Sequence, residues 1–251
     1  MPSDLQCLWC LSASASRDSF GKGAAAVKYW LRYSKVGLLR FVGHLDMLQA
    51  WERILRRAGV PLAFTQGFSP RPMLSLAMPL PIGLTSQAEY LELETKQEVP
   101  DLQPLIASVA PLDIQVSGVV AVPEGTKSLM GLIRYADYAV ENLGEAERGR
   151  VAELLESFLA KKSVLRDVRR KGGLKNVDIR PLVQQAYFED ERLRLCLAVG
   201  SVANLRVEDL LEYFDLSTSA LAISRDELYL EVASGFITPF QYIAMGGAAG
   251  R

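Results

Sequence analysis

Hydrophobic residues alternate or recur along most of the chain from Lys28 onward, and the period changes often enough to mark out elements. Lys28 to Val42 opens with Tyr29, Leu31 and Tyr33 on one side and Lys28, Trp30, Arg32 and Ser34 on the other, which predicts a strand. From Gly43, Leu45, Leu48, Trp51, Leu55 and Ala58 follow at three- and four-residue steps. Asp46 lies in the first turn, arginines in the last and Gly59 beyond the end, so a helix is predicted. Gln49, Arg53, Arg56 and Arg57 then fall on the opposite, cationic face, with Glu52 placed to pair with Arg56.

Leu62 to Thr65 reads as a short strand, Gln66 to Pro72 as a turn stiffened by Pro70 and Pro72, and Met73 to Met78 as a second extended piece. Ala88 to Thr95 sets Tyr90, Leu91 and Leu93 against Glu89, Glu92 and Glu94, a strand with an acidic side, Asp101 to Val109 fits a short helix, and Ile114 to Val122 a closing strand. The order is βαββαβ. A second set follows: a strand at Leu132 to Glu141, a helix at Glu145 to Leu159, a hairpin of Val164 to Arg170 and Val177 to Val183 around Gly172-Gly173, and a strand at Arg192 to Val199. A helix from Arg206 to Phe214 after Asn204 as N-cap and a hairpin over Ala220 to Val232 turning at Arg225-Asp226 complete it.

The expected fold class is therefore α+β, as two tandem ferredoxin-like (split βαβ) modules with antiparallel sheets. The boundaries are 1–26 for a flexible arm, 27–125 and 131–233 for the modules, and 234–251 for a frayed tail.

A formal net charge of −1 and a pI near 6.0 give no overall attraction to polyanions, so charge matters only through its clustering. Between Lys28 and Ser75 eight cations (Lys28, Arg32, Lys35, Arg40, Arg53, Arg56, Arg57, Arg71) face only Asp46 and Glu52. A second cluster holds Lys161, Lys162, Arg166, Arg169, Arg170, Lys171 and Lys175. Dense cations of this kind suit a nucleic-acid backbone, although charge runs are also commonly just solvated faces. Phe68 and Arg71, in Gly67-Phe68-Ser69-Pro70-Arg71-Pro72, can stack a base and clamp a phosphate; the alternative is a core plug in a stiff turn.

His44, the only histidine, stands at the start of the cationic helix, where it is either a backbone-bonded entry residue or a general acid-base. The nucleic-acid-binding candidates are Arg32, Lys35, Arg40, His44, Arg53, Arg56, Arg57, Phe68, Arg71, Arg169, Arg170, Lys171 and Lys175, and His44 is the one catalytic candidate. Three cysteines, with Cys7 and Cys10 a lone C-x-x-C, leave zinc short of ligands, so neither metal nor cofactor is expected. The low cysteine count and the lack of a signal-peptide pattern point to the cytoplasm, and no apolar run is long enough for a membrane span.

Arg32-Tyr-Ser-Lys-Val-Gly-Leu-Leu-Arg-Phe-Val-Gly-His-Leu-Asp46, then Glu52-Arg53, Arg56-Arg57-Ala-Gly-Val-Pro61, Gln66-Gly-Phe-Ser-Pro70 and Leu74-Ser75, resembles the radical SAM-linked domain family. Val177-Asp-Ile-Arg-Pro-Leu182 and Asn204-Leu-Arg206 extend the likeness across Lys28 to Glu231. That family is a domain of unknown function, fused to or encoded beside a radical SAM protein. The resemblance implies an accessory role beside a separate radical SAM enzyme, and the charge clusters add RNA as a second partner. The helix start His44-Leu-Asp46, the helix arginines and the Gly-Phe-Ser-Pro loop are also similar in pattern to the tandem ferredoxin-like endoribonucleases that process CRISPR repeats. Three functions follow as expectations: an RNA-binding or substrate-presenting accessory, a metal-independent endoribonuclease using His44, and a non-catalytic protein-protein docking module.

Overall fold

The structure, a computed structural model, describes residues 26–170 and 172–247. The N-terminal arm up to residue 25, with Cys7 and Cys10, and also Lys171 lie outside the described residues. The protein is α+β: one nine-stranded, mostly antiparallel sheet, a separate two-stranded ribbon, and six helices among the described residues.

In the first half β1 (Val27–Lys35) is flanked by β3 (Thr85–Thr95) and β4 (Val116–Val122), and β2 (Leu74–Leu76) pairs with the far side of β3. In the second, β5 (Ile133–Glu141) lies between β10 (Ala222–Val232) and β9 (Arg192–Ala198), with β8 (Val183–Glu189) outermost. Each half thus places its first strand between its last and its third, and its second strand beyond the third. The halves fuse where β10 runs parallel to β3 over two residue pairs, Ser224 with Thr85 and Arg225 with Ser86. The remaining strands, β6 (Leu165–Arg170) and β7 (Gly173–Asp178), form the ribbon.

Helices α1 (His44–Arg57) and α2 (Leu102–Ala107) cover one face of the first half, burying Met47, Trp51, Leu55 and Ile106 against Tyr29, Leu31, Tyr33 and Leu93. The inner stripe of α1 is rotated from the expected one. Met47, Trp51, Ile54 and Leu55 are buried, while Leu45 is 71% exposed, because six residues before Trp51 lies about 120° away around an α-helix. In the second half α4 (Glu145–Ala160) and α5 (Val207–Tyr213) supply Val151, Leu155, Phe158 and Leu210 to a second core. A single turn, α3 (Leu129–Leu132), bridges the halves.

Several segments depart from the sequence reading: Val177 to Val183, expected as one hairpin strand, is divided among the end of β7, a 3-10 turn (Arg180–Leu182) and the start of β8, and Leu62 to Thr65 makes only isolated bridges. Ala222–Val232 is one continuous strand rather than a hairpin. Its register slips between Arg225 and Glu227, where Asp226 is taken by Arg194 and Ser224. Beyond Val232, where a frayed tail is expected, β11 (Gly235–Ile237) pairs with β10 and α6 (Pro239–Ala244) forms behind a Thr238–Gln241 capping box. Helix α6 covers the other face of the first half. Tyr242 stacks on Trp30, Phe240 meets Tyr90 edge-on, and a Cβ built at Gly118 would fall 2.5 Å from the Phe240 ring, so only glycine lets this helix approach β4.

Candidate functional site

The end of α1 and the loop that follows it carry the first cationic surface. Arg53 is exposed and forms no ion pair with the described residues, and Arg56 is exposed but bonded to Glu52 at 2.7 Å. Arg57 donates to the Val109 carbonyl and so ties α1 to the end of α2. Beyond the helix, Phe64 lies between Arg56 and Lys96, each stacked on its ring at about 6 Å. The chain then turns as a narrow hairpin: Phe64 bridges Pro72, Thr65 N donates to Arg71 O at 2.9 Å, and Arg71 N returns to Thr65 Oγ1 at 3.0 Å. Gly67, at φ +129, makes the turn that no other residue adopts without strain. Phe68 stands at the tip wholly in solvent, and Arg71 is exposed beside it. Phe68 is therefore not a core plug. Lys96 and Phe64 belong to this surface and were not singled out by sequence, since their partners lie on other elements.

The other first-half candidates are placed elsewhere. Arg32 is fixed to Glu227 at 3.0 Å and Ser117 at 3.2 Å. Lys35 is 3% exposed and donates to Val42 O at 2.9 Å, with burial pushing its ammonium pKa down against the pull of Glu89. Arg40 is exposed, stacked on Phe41 at 4.8 Å in a short 3-10 turn, Gly37–Phe41. That turn and the start of α1 also expose Leu38, Phe41 and Leu45, with Ile82 close by because Gly83 N donates to Arg40 O.

His44 is on the inner stripe of α1, half-buried, and its Nδ1 is shielded from solvent without a hydrogen-bond partner. Arg53, the nearest of the three helix arginines, is nine residues further on, about 14 Å along the axis at 1.5 Å per residue. Nine residues also place Arg53 about 180° around the helix from His44, so the two side chains leave α1 on opposite faces.

Of the second cluster, Arg166, Arg169, Arg170 and Lys175 lie on the β6–β7 ribbon, and Lys161 and Lys162 at the end of α4. Arg169 and Lys175 are exposed, while Arg170 is held by Asp209 at 2.7 Å and reaches the Asn204 carbonyl, which pins the ribbon to the start of α5. The two cationic clusters therefore occupy different halves of the molecule.

Between the halves lies a buried polar seam. Arg225 on β10, 1% exposed, is bonded to Glu89 on β3 through Nε (2.9 Å) and Nη2 (2.6 Å to each oxygen), and Nη2 also reaches Met78 O at 2.8 Å. Burial disfavours its charge, but Glu89 and Tyr138 outweigh it and hold the proton more tightly than usual. Burial raises the Tyr33 and Tyr138 phenols beside it.

These features define an α+β protein with one composite sheet, with groups of exposed cations at the end of α1 and on the ribbon. The chain belongs to a family described as an uncharacterized protein conserved in bacteria (DUF2344), whose model matches residues 28–207. No curated protein matches it. Among the described residues, no helix is long and apolar enough to cross a membrane.

Proposed function

We propose that the protein is an RNA-binding, substrate-presenting accessory of a radical SAM enzyme, built from two ferredoxin-like modules, with no catalysis of its own. The observation that carries the RNA reading is Phe68, an aromatic ring held entirely in solvent at the tip of a Pro-stiffened hairpin, with Arg71 on the same hairpin, Arg56 and Lys96 on Phe64 at its base, and Arg53 exposed on the preceding helix. An exposed aromatic among cations is the arrangement that stacks a base while neutralising phosphate. The module reading draws on the strand order of each half, and the link to a radical SAM enzyme rests on the sequence resemblance. RNA would meet this protein at the helix end, since the sheet aromatics Trp30 and Tyr90 are covered by α6.

The test is fluorescence anisotropy with short single-stranded RNAs across a salt series. Affinity falls steeply with salt, and Arg53→Ala and Arg71→Ala each reduce the log–log slope by about 0.7, the value for one lost single-strand phosphate contact. No binding at low salt would end the reading. A docking role for the same protein is favoured by the exposed Leu38, Phe41, Leu45 and Ile82. Loss of co-purification with a co-expressed radical SAM protein on Leu38→Ser and Phe41→Ser, with RNA binding intact, would assign that face to the enzyme. The endoribonuclease reading is disfavoured by the distance between His44 and the arginines of α1.

A further inference from the structure

The segment Met78 to Pro81, between β2 and β3, faces the second half of the chain across a cavity of about 600 Å³. That volume is within the range that holds a nucleotide-sized ligand, ~300–1,000 Å³. Pro79, Leu80 and Pro81 line it from the first half, and the buried Leu205 and Val207 border it from the second, so the apolar wall open to a flat ring is that of Pro79 and Pro81. The polar groups are few and of both kinds. Tyr138 brings a hydroxyl, whereas the Arg225 guanidinium behind it is already held by Glu89 and Met78 O. Glu208, in the first turn of α5, brings an acceptor: its Oε2 is shielded from solvent and has no partner among the described residues. A buried carboxylate oxygen left without a donor is unfavourable by ~1–3 kcal/mol or more, so Glu208 is poised for a donor that the protein itself does not supply. Glu208 lines the same cavity as Tyr138. At the mouth Arg206 is exposed, and Arg170, bonded to Asp209, brings the cationic ribbon to the same edge.

An apolar wall, a hydroxyl beside a carboxylate acceptor, and a cationic mouth match a heteroaromatic base with a phosphate attached. We propose that this cavity is a nucleobase pocket in which Glu208 accepts from a ring N–H or exocyclic amine, the Tyr138 hydroxyl faces the base's acceptors, and Arg206 meets the phosphate. The inference rests on the RNA reading only for the source of the base, which is either a free nucleotide or a nucleotide presented by RNA.

The experiment titrates the full chain with AMP, GMP, CMP and UMP, with their nucleosides, and with short RNAs differing at one base, using calorimetry. The expected result is one site with about tenfold or more preference for one base, because a site built to hydrogen-bond an edge rejects edges that do not match. Glu208→Gln abolishes that preference, Arg206→Ala weakens the nucleotide but not the nucleoside, and Asn204→Trp, at the mouth, blocks both while far-UV circular dichroism and Tm confirm folding. Preference among free nucleotides with none among RNAs assigns the site to a free nucleotide, and preference in both assigns it to RNA. The proposal is overturned if no nucleotide or nucleoside binds at millimolar concentration, or if binding is unchanged in both Glu208→Gln and Asn204→Trp. RNA that binds through Arg53 and Arg71 without base preference overturns the pocket alone. Nucleotides that bind while RNA does not overturn the RNA reading alone.

Discussion

Removing the Arg225 guanidinium tests what joins the two halves. The backbone contact between β3 and β10 is two residue pairs long, whereas the Arg225–Glu89 pair is dry and bidentate, with a further bond to Met78 O. Two unit charges 4 Å apart at an effective dielectric near 20 interact by about 4 kcal/mol, and breaking one partner of a buried pair typically costs ~3–5 kcal/mol because the other is left uncompensated. Arg225→Met should therefore destabilise the protein by about 4 kcal/mol, a fall of roughly 2 M in the urea midpoint at a denaturant slope near 2 kcal/mol/M. Glu89→Leu should do the same. The double variant Glu89→Leu/Arg225→Met should recover most of the loss, since a buried ion pair exchanged for apolar side chains is often neutral or stabilising. Urea unfolding followed by fluorescence and far-UV circular dichroism measures all four proteins. Single variants losing less than about 1 kcal/mol, or a double variant as unstable as the sum of the singles, would refute the reasoning.

Phe68→Ala should change folding stability by no more than about 0.5 kcal/mol, since the ring packs on nothing, yet weaken single-stranded RNA by roughly 5- to 150-fold through lost stacking; equal affinity for both proteins would remove Phe68 from the site. The Asp178 carboxylate is held below the usual value of 3.8, first by the Val164 N–H and then by Ser163 and the Arg180 N–H, so its contribution is present above that value and lost as pH falls through the depressed one. Asp178→Asn should accordingly be less stable than the parent at pH 6, with the gap closing as the pH drops below 3.8; urea midpoints at several pH values decide, and a constant gap would refute it. Burial, with Asp137 adding to it, pushes the Cys196 thiol far above its usual range. In a Cys7→Ser/Cys10→Ser background its reaction with a thiol reagent at pH 8 should be on the order of 100-fold slower in the folded than in the urea-unfolded protein, and comparable rates would place it at the surface.

What was legible in the sequence was local. Strands β1, β3 and β5 and helices α1 and α4 follow from periodicity that a single element imposes on its own residues. The inner face of α1 was misassigned because Leu45 and Met47 begin two rival stripes that share Leu48, Trp51 and Leu55, and only packing against β1 and β3 chooses between them. Strand β8 escaped notice since only Val183 and Ala186 are buried along it. Thr238-Pro239 with Gln241 was a readable start signal for α6. Nothing local connects Glu89 with Arg225, 136 residues apart, or turns Lys35 inward away from the arginines near it in sequence. The polar seam and the cavity above it are products of how the halves meet, so neither left a trace in either half alone.

Strand β10 is the fourth of seven along the main path of the sheet, between β3 and β5, yet it follows every other strand of that path in the chain. During synthesis the β5 edge, and the Thr85–Ser86 end of β3 that β2 leaves open, must wait, unpaired, for a segment that emerges only after residue 221. Open strand edges are templates for pairing with other chains. A nascent or truncated protein ending before Ala222 would present two of them, so failed completion should lead to aggregation rather than to a working half.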